Sequence, residues 1–193
     1  MLFRSIFQTD AAAYRNLIER MGIDNFNDLV VSNALVRPGA LLSQGQRYID
    51  CKKGESNPKY AHEVVQSILE ETYGTVIFQE QLMQMAVLLA DFTWSEADSL
   101  RKIIGKKRDI GEFDKFKDKF VNNKYLTKAQ SEKIWSEFEL SALYMFNKSH
   151  AVAYSLMSYQ TMWLKVNYPL EFMWALLYNE SATDKITAYL MEA

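Results

Sequence analysis

Seven glycines and three prolines in 193 residues leave this chain few places to turn tightly. A sandwich of short strands needs such residues at most of its corners, so long helices joined by short loops are expected instead. Hydrophobic residues make up 49% of the chain, which is enough for a real core and excludes disorder over most of its length. The single cysteine, Cys51, excludes a disulfide scaffold and fits a reducing compartment. Basic residues number 22 against 24 acidic ones, a formal net charge of −2. A protein that holds nucleic acid through overall basicity does not have this balance, so any phosphate affinity has to come from a local patch.

Arg4 and Asp10 interrupt the first ten residues, so no signal-peptide apolar core is present there. The uncharged stretch from Ala151 to Leu164 is shorter than a bilayer span and carries Ser155, Ser158, Gln160 and Thr161. It is expected to be a buried or half-buried helix, and no membrane contact is expected.

Helix starts and stops give the order of elements. The first helix is expected after Thr9 as its cap, with Tyr14, Leu17, Ile18 and Met21 on one face and Gly22 as its stop. A second runs from about Asp24 to Arg37-Pro38-Gly39, where proline bars continuation. A third covers Gln44 to Lys52 and a fourth Ala61 to Thr72, before Tyr73-Gly74 turns the chain. Thr75 to Phe78 is β-branched or aromatic and suits a short extended segment. Leu82, Met85, Ala86 and Leu89 then predict a helix over Gln79 to Asp91. Thr93-Trp94-Ser95-Glu96 has the pattern of a capping box, and Thr127-Lys128-Ala129-Gln130 is a second. Between them, Asp109 to Lys124 is charge-rich and reads as solvated helix or loop. After Phe146-Asn147-Lys148-Ser149-His150 a long helix runs to about Asn167, Pro169 restarts the chain, and Asp184 to Met191 is a last short helix. The fold class is all-α, with at most one short extended piece and no internal repeat.

Two features carry candidate chemistry. Arg101, Lys102, Lys106, Lys107 and Arg108 follow a capped helix. Their ordinary role would be to complement the last carbonyls and the helix dipole. Their sharper role would be to bind a polyphosphate or a nucleic-acid backbone, with Arg as a planar fork and Lys as a point charge. Ala97, Leu100 and Ile104 take the core face, which turns Arg101 and Lys102 toward another. The second feature is Phe146-Asn147-Lys148-Ser149-His150, where Ser149 is expected to cap the next helix and leave its first N–H groups for an anion, flanked by Lys148 and His150. The ordinary alternative there is a capped helix with a surface Lys and a partly buried His. Gln79, Glu80 and Gln81 at a helix start either cap it, bond a substrate, or hold another side chain. His62, His150 and Cys51 are too scattered for a zinc-type ligand set, so no metal site is expected. Phosphate-loop, dinucleotide and nucleophile-elbow motifs do not occur.

Arg37-Pro38-Gly39, Glu71-Thr72-Tyr73-Gly74, Gln79-Glu80-Gln81-Leu82-Met83, Glu96 to Lys102, Gly105-Lys106-Lys107, Phe146 to Ser155 and Ser158-Tyr159-Gln160-Thr161 occur in that order. Together they resemble the fingers region of the alpha subunit of bacterial DNA polymerase III, which phage replicative polymerases of the same family share. The likeness runs from about Phe7 to Asn179. It implies a helical fingers domain over residues 1–193, with 1–40 as a palm-to-fingers transition, 41–180 as fingers and 181–193 as the start of a following segment. It implies DNA-directed DNA synthesis, with Arg101, Lys102, Lys106, Lys107, Lys148 and His150 at the triphosphate of an incoming deoxynucleotide (dNTP). Gln79, Glu80, Gln81, Asn147 and Ser149 would support them. No catalytic residue is assigned within the chain. In this family the metal-binding aspartates lie in the palm, upstream of the matched region, so Mg2+ is expected for the complete polymerase and not on these residues. The expected partners are dNTP, primer-template DNA, and the palm and remaining polymerase segments, which a separate chain could carry. The expected location is the cytoplasm of a bacterial or phage-infected cell. The chain departs from the family at Cys51, where Arg is usual, at Ile103-Ile104, which replaces a smaller residue followed by Met, and at Lys102, where many members have a second Arg. A non-catalytic helical module that binds nucleotide, nucleic acid or a protein partner is the alternative function.

Overall fold

The structure is a computed structural model that describes residues 5–106, 110–141 and 144–192, with the side chains at 38, 43, 105–106 and 110–112 set aside. Lys107 and Arg108 therefore lie outside the described residues, as does the side chain of Lys106. Among the described residues every regular element is helical, and the only β feature is one isolated parallel bridge between Phe78 and Phe146. The chain is all-α, as its scarcity of breakers implies. The helices are α1 (Ala12–Met21), α2 (Phe26–Leu35), α3 (Pro38–Ala40), α4 (Gln46–Lys52), α5 (Glu63–Leu69), α6 (Gln79–Ala90), α7 (Trp94–Lys106), α8 (Ile110–Val121), α9 (Lys128–Ser141), α10 (Lys148–Asn167), α11 (Pro169–Asn179) and α12 (Thr183–Leu190). A π-helical turn, Leu41–Gly45, joins α3 to α4, so Pro38 opens a helical run, where its missing N–H costs nothing. A 3-10 turn, Glu70–Thr72, extends α5 before Tyr73 and Gly74, both at positive φ, reverse the chain.

The chain divides into two compact units, one made of Met1–Ser32 with Val152–Ala193, the other of Asn33–Ala151. In the first, Tyr14, Leu17, Ile18 and Met21 are all buried, as their spacing predicts. The buried Tyr14 hydroxyl meets Ser32 Oγ at 2.6 Å, and the Ser32 hydroxyl donates to the Leu29 carbonyl. Burial pushes the Tyr14 phenol up to about 12. Thr9 does not cap α1. Ala11 holds the cap position, while Thr9 is fully buried with its hydroxyl on the Ile6 carbonyl. Lys165 and Glu192 form a largely buried ion pair at 2.5 Å, and Ser5 Oγ donates to the same carboxylate. α11 buries none of its residues, and Leu170, Trp174 and Tyr178 stand exposed on it.

The second unit has the larger core. Apolar faces of α5, α6, α7, α8 and α9 meet around Trp135, which contacts Phe113, Phe120 and Phe138 with ring centroids 5.3–6.1 Å apart. Trp135 is wholly buried and its indole N–H donates to Glu139, so both its apolar body and its polar edge are satisfied. Truncating such a residue to Ala costs about 3–5 kcal/mol. The charge-rich 109–124 stretch contributes to this core. Its Ile110–Val121 part is helix α8, whose Phe120 is fully buried while Asp114, Lys115, Asp118 and Lys119 are exposed.

Candidate functional site

Three short motifs separated in sequence are brought together in the Asn33–Ala151 unit. The extended residues before α6 make this possible. The Ile77 carbonyl accepts from the Phe146 N–H at 2.9 Å, and the Gln79 N–H donates back to the Phe146 carbonyl at 2.9 Å. These two bonds are the parallel bridge, and they set the start of α10 beside the start of α6.

Each residue of Gln79-Glu80-Gln81 then does a different job. Gln81 is buried. Its Oε1 accepts from the Ile77 and Phe78 N–H groups at 2.9 and 3.0 Å, and its Nε2 donates to Thr72 Oγ1 at 2.8 Å. It therefore locks the extended segment onto the turn before it. Glu80 reaches the other helix, accepting from Asn147 Nδ2 and from the Lys148 backbone N–H, each at 2.9 Å. Gln79 faces α7, and its Oε1 accepts from an Arg101 Nη at 3.2 Å.

The start of α10 differs from the sequence expectation. Asn147 caps it, with Oδ1 accepting from the His150 N–H at 2.8 Å. Ser149 lies inside the first turn and is exposed, so it is not the cap. Asn147 stands one residue before the helix, where its side-chain oxygen reaches the N–H three residues on. The anion at this helix start is already supplied by the Glu80 carboxylate. His150 is exposed rather than partly buried, its ring edge-on to Phe146 at 5.4 Å. Arg37 lays its guanidinium over the Phe146 ring, 4.6 Å from the centroid, and donates to the Tyr144 carbonyl at 2.5 Å. Sequence reasoning used Arg37 in a helix stop and in the motif Arg37-Pro38-Gly39, without naming it as a site residue. Its neighbour Gly39 is needed because Tyr144 lies so close that a Cβ there would overlap the ring.

The cations of the site are held by carboxylates. Lys148 Nζ lies 2.6 Å from Glu71, with both groups about one-third exposed. Asp98 takes Arg101 at 2.7 Å and Lys102 at 2.6 Å. Lys102, and then Arg101, hold the Asp98 carboxyl below its usual range. All these groups meet solvent, so the pairs orient the cations more than they stabilise the fold. Glu71, Glu80 and Asp98 are each committed to a different cation or backbone donor. They do not converge as a pair of metal-binding carboxylates would, so this set does not fit Mg2+.

The chain matches the family described as the bacterial DNA polymerase III alpha subunit finger domain over residues 3–126. It is similar to the DNA polymerase III subunit alpha of Rickettsia felis, 40% identical over 193 residues. The proteins of the same name from Pasteurella multocida and Aquifex aeolicus are 41% and 38% identical. These alignments cover 97%, 94% and 97% of the chain respectively, and the chain spans 16% of the length of each relative.

Proposed function

The chain belongs to the bacterial DNA polymerase III alpha subunit finger-domain family, and from that premise we propose that it serves DNA replication by binding the triphosphate of an incoming dNTP. The observation that carries this reading is the bridge through α6. Gln79 holds Arg101 and Glu80 holds the start of α10, so the two basic motifs belong to one hydrogen-bonded assembly.

A triphosphate needs its charges neutralised and its phosphorus aligned for in-line attack, and positioning supplies much of that catalysis. Arg101 offers a planar fork whose orientation Asp98 and Gln79 fix. Lys102 shares Asp98 and adds a point charge, and Lys148 adds another from α10. Holding long side chains in place before the ligand arrives lowers the ordering cost of binding. His150, exposed beside Lys148, would meet a phosphate or sugar oxygen. Lys106 and Lys107 complete the basic run in the sequence. Mg2+, the palm and the chemistry of primer extension belong to the complete polymerase, which acts on primer-template DNA in a bacterial or phage-infected cytoplasm. The exposed apolar residues of α11 would be covered there. No helix among the described residues is long and apolar enough to cross a membrane.

In a DNA polymerase III alpha subunit carrying this segment, Arg101→Ala should weaken apparent nucleotide affinity about ten- to a hundredfold, the range for one charge-assisted contact. Primer-template affinity should hold. Equal loss of both would point to a backbone-binding role, and no effect on either would favour a non-catalytic helical module. The 193-residue chain alone should not extend a primer in a Mg2+-dependent assay, and robust synthesis by it would overturn that part.

A further inference from the structure

A cavity of about 540 Å3 opens within the Asn33–Ala151 unit between α4, the loop before α5, α6 and α9. It shares no residue with the site above. Its volume falls in the range that holds small organic ligands. Val65, Met85 and Ile134 give it an apolar floor, and the ring of Tyr60 stands at its wall.

The charge at its mouth differs from that at the candidate site. Arg101, Lys102, Lys119, Lys124 and Lys148 each sit on a carboxylate within 3.2 Å. Arg47, Lys59 and Lys133 line the cavity and have no hydrogen-bonded or ion-paired acid among the described residues. One carboxylate, Glu137, accompanies them there. Three uncommitted cations around one opening, in a chain of net negative charge, favour an anion with more than one charge. Gly74 lies against two of these residues. At φ +76° it has no side chain, and a Cβ there would come within 3.3 Å of the Lys59 carbonyl and 3.6 Å of Arg47 Nη.

An apolar floor with an aromatic wall below a cationic rim suits an amphipathic anion. We propose that this cavity binds a mononucleotide-sized phosphate monoester, its planar ring on the floor beside Tyr60 and its phosphate among Arg47, Lys59 and Lys133. A long alkyl anion would need an apolar tunnel, whereas this lining mixes cations and the Gln130 amide with its apolar residues.

Titration calorimetry of the 193-residue chain with adenosine 5′-monophosphate tests this. One saturable site with a Kd below about 1 mM is expected. Adenosine alone and inorganic phosphate alone should each bind at least about tenfold more weakly, because each fills half the site. Lys59→Glu with Lys133→Glu should weaken binding at least about tenfold, while Lys128→Glu, a charge change away from the cavity, should leave it unchanged. Lys59 and Lys133 are exposed, so the melting temperature should not move. If it does, Lys59→Gln with Lys133→Gln gives the same comparison without charge reversal. Arg101→Ala should keep this binding, which separates it from the proposed polymerase site. Three results would overturn the proposal: no saturation with the monophosphate, equal weakening by Lys128→Glu, or binding that follows Arg101 instead of Lys59 and Lys133.

Discussion

The starts of α7 and α10 are closed by opposite strategies. At α7 everything needed lies within four residues. Glu96 Oε2 accepts from the Thr93 N–H at 2.7 Å, and the Glu96 N–H donates back to Thr93 Oγ1 at 3.2 Å. At α10 the cap is local, but the carboxylate that satisfies the Lys148 N–H comes from Glu80, 68 residues away. A local cap stabilises one helix. A borrowed one also fixes where that helix starts relative to α6, and through Gln79 relative to Arg101 on α7. The candidate site exists because of the second kind.

Four substitutions sharpen or break this contrast. The largest stability loss is expected from Gln81→Ala, which strands the buried Ile77 and Phe78 N–H groups and frees the extended segment. About 3 kcal/mol is expected in denaturant unfolding, and a loss under 1 kcal/mol would mean that water replaces the amide easily. Glu80→Ala removes two charge-assisted bonds at a half-buried junction and should cost about 2 kcal/mol. Thr93→Ala, at the self-contained α7 box, should cost about 1 kcal/mol. If Glu80→Ala proves no worse than Thr93→Ala, the borrowed cap adds nothing beyond a local one and the contrast fails.

The smallest effect concerns pH. Lys119, followed by Thr93, pushes the Glu96 carboxyl down to about 2. The folded value lies below the unfolded one of about 4.3, so this contribution is complete above that pH and is lost as pH falls toward 2. Glu96→Gln should therefore be slightly less stable than the parent at pH 7, and the gap should close in acid. A gap that widens as pH falls would show that the carboxylate does not act through these partners.

The same contrast explains what could be read from the sequence. Both capping boxes were legible because their partners are three residues apart, and Thr127 with Gln130 closes α9 as expected. The periodic faces of α1 and α6 were legible for a similar reason. Ser149 misled because the choice between Asn147 and Ser149 as cap depends on where α10 begins, and the Phe78–Phe146 bridge decides that. Thr9 misled because its hydroxyl is spent on Ile6 in a buried turn. The 109–124 stretch hid its core role because charges dominate its composition while Phe113, Phe116 and Phe120 keep one helical face. Trp135 belongs to the core, whereas Trp94, Trp163 and Trp174 are exposed. The sequence named Arg101, Lys148 and Gln79-Glu80-Gln81 as candidates, but their joining depends on long-range bonds that no local pattern encodes.

The central claim is that Arg101 and Lys148 act on one ligand. A double-mutant cycle with Arg101→Ala, Lys148→Ala and the pair tests it, using apparent nucleotide affinity in a DNA polymerase III alpha subunit carrying this segment. Residues sharing a ligand and a hydrogen-bonded assembly should couple by about 0.5–3 kcal/mol, with primer-template affinity unchanged. Strict additivity, or losses confined to DNA affinity, would contradict a shared triphosphate site.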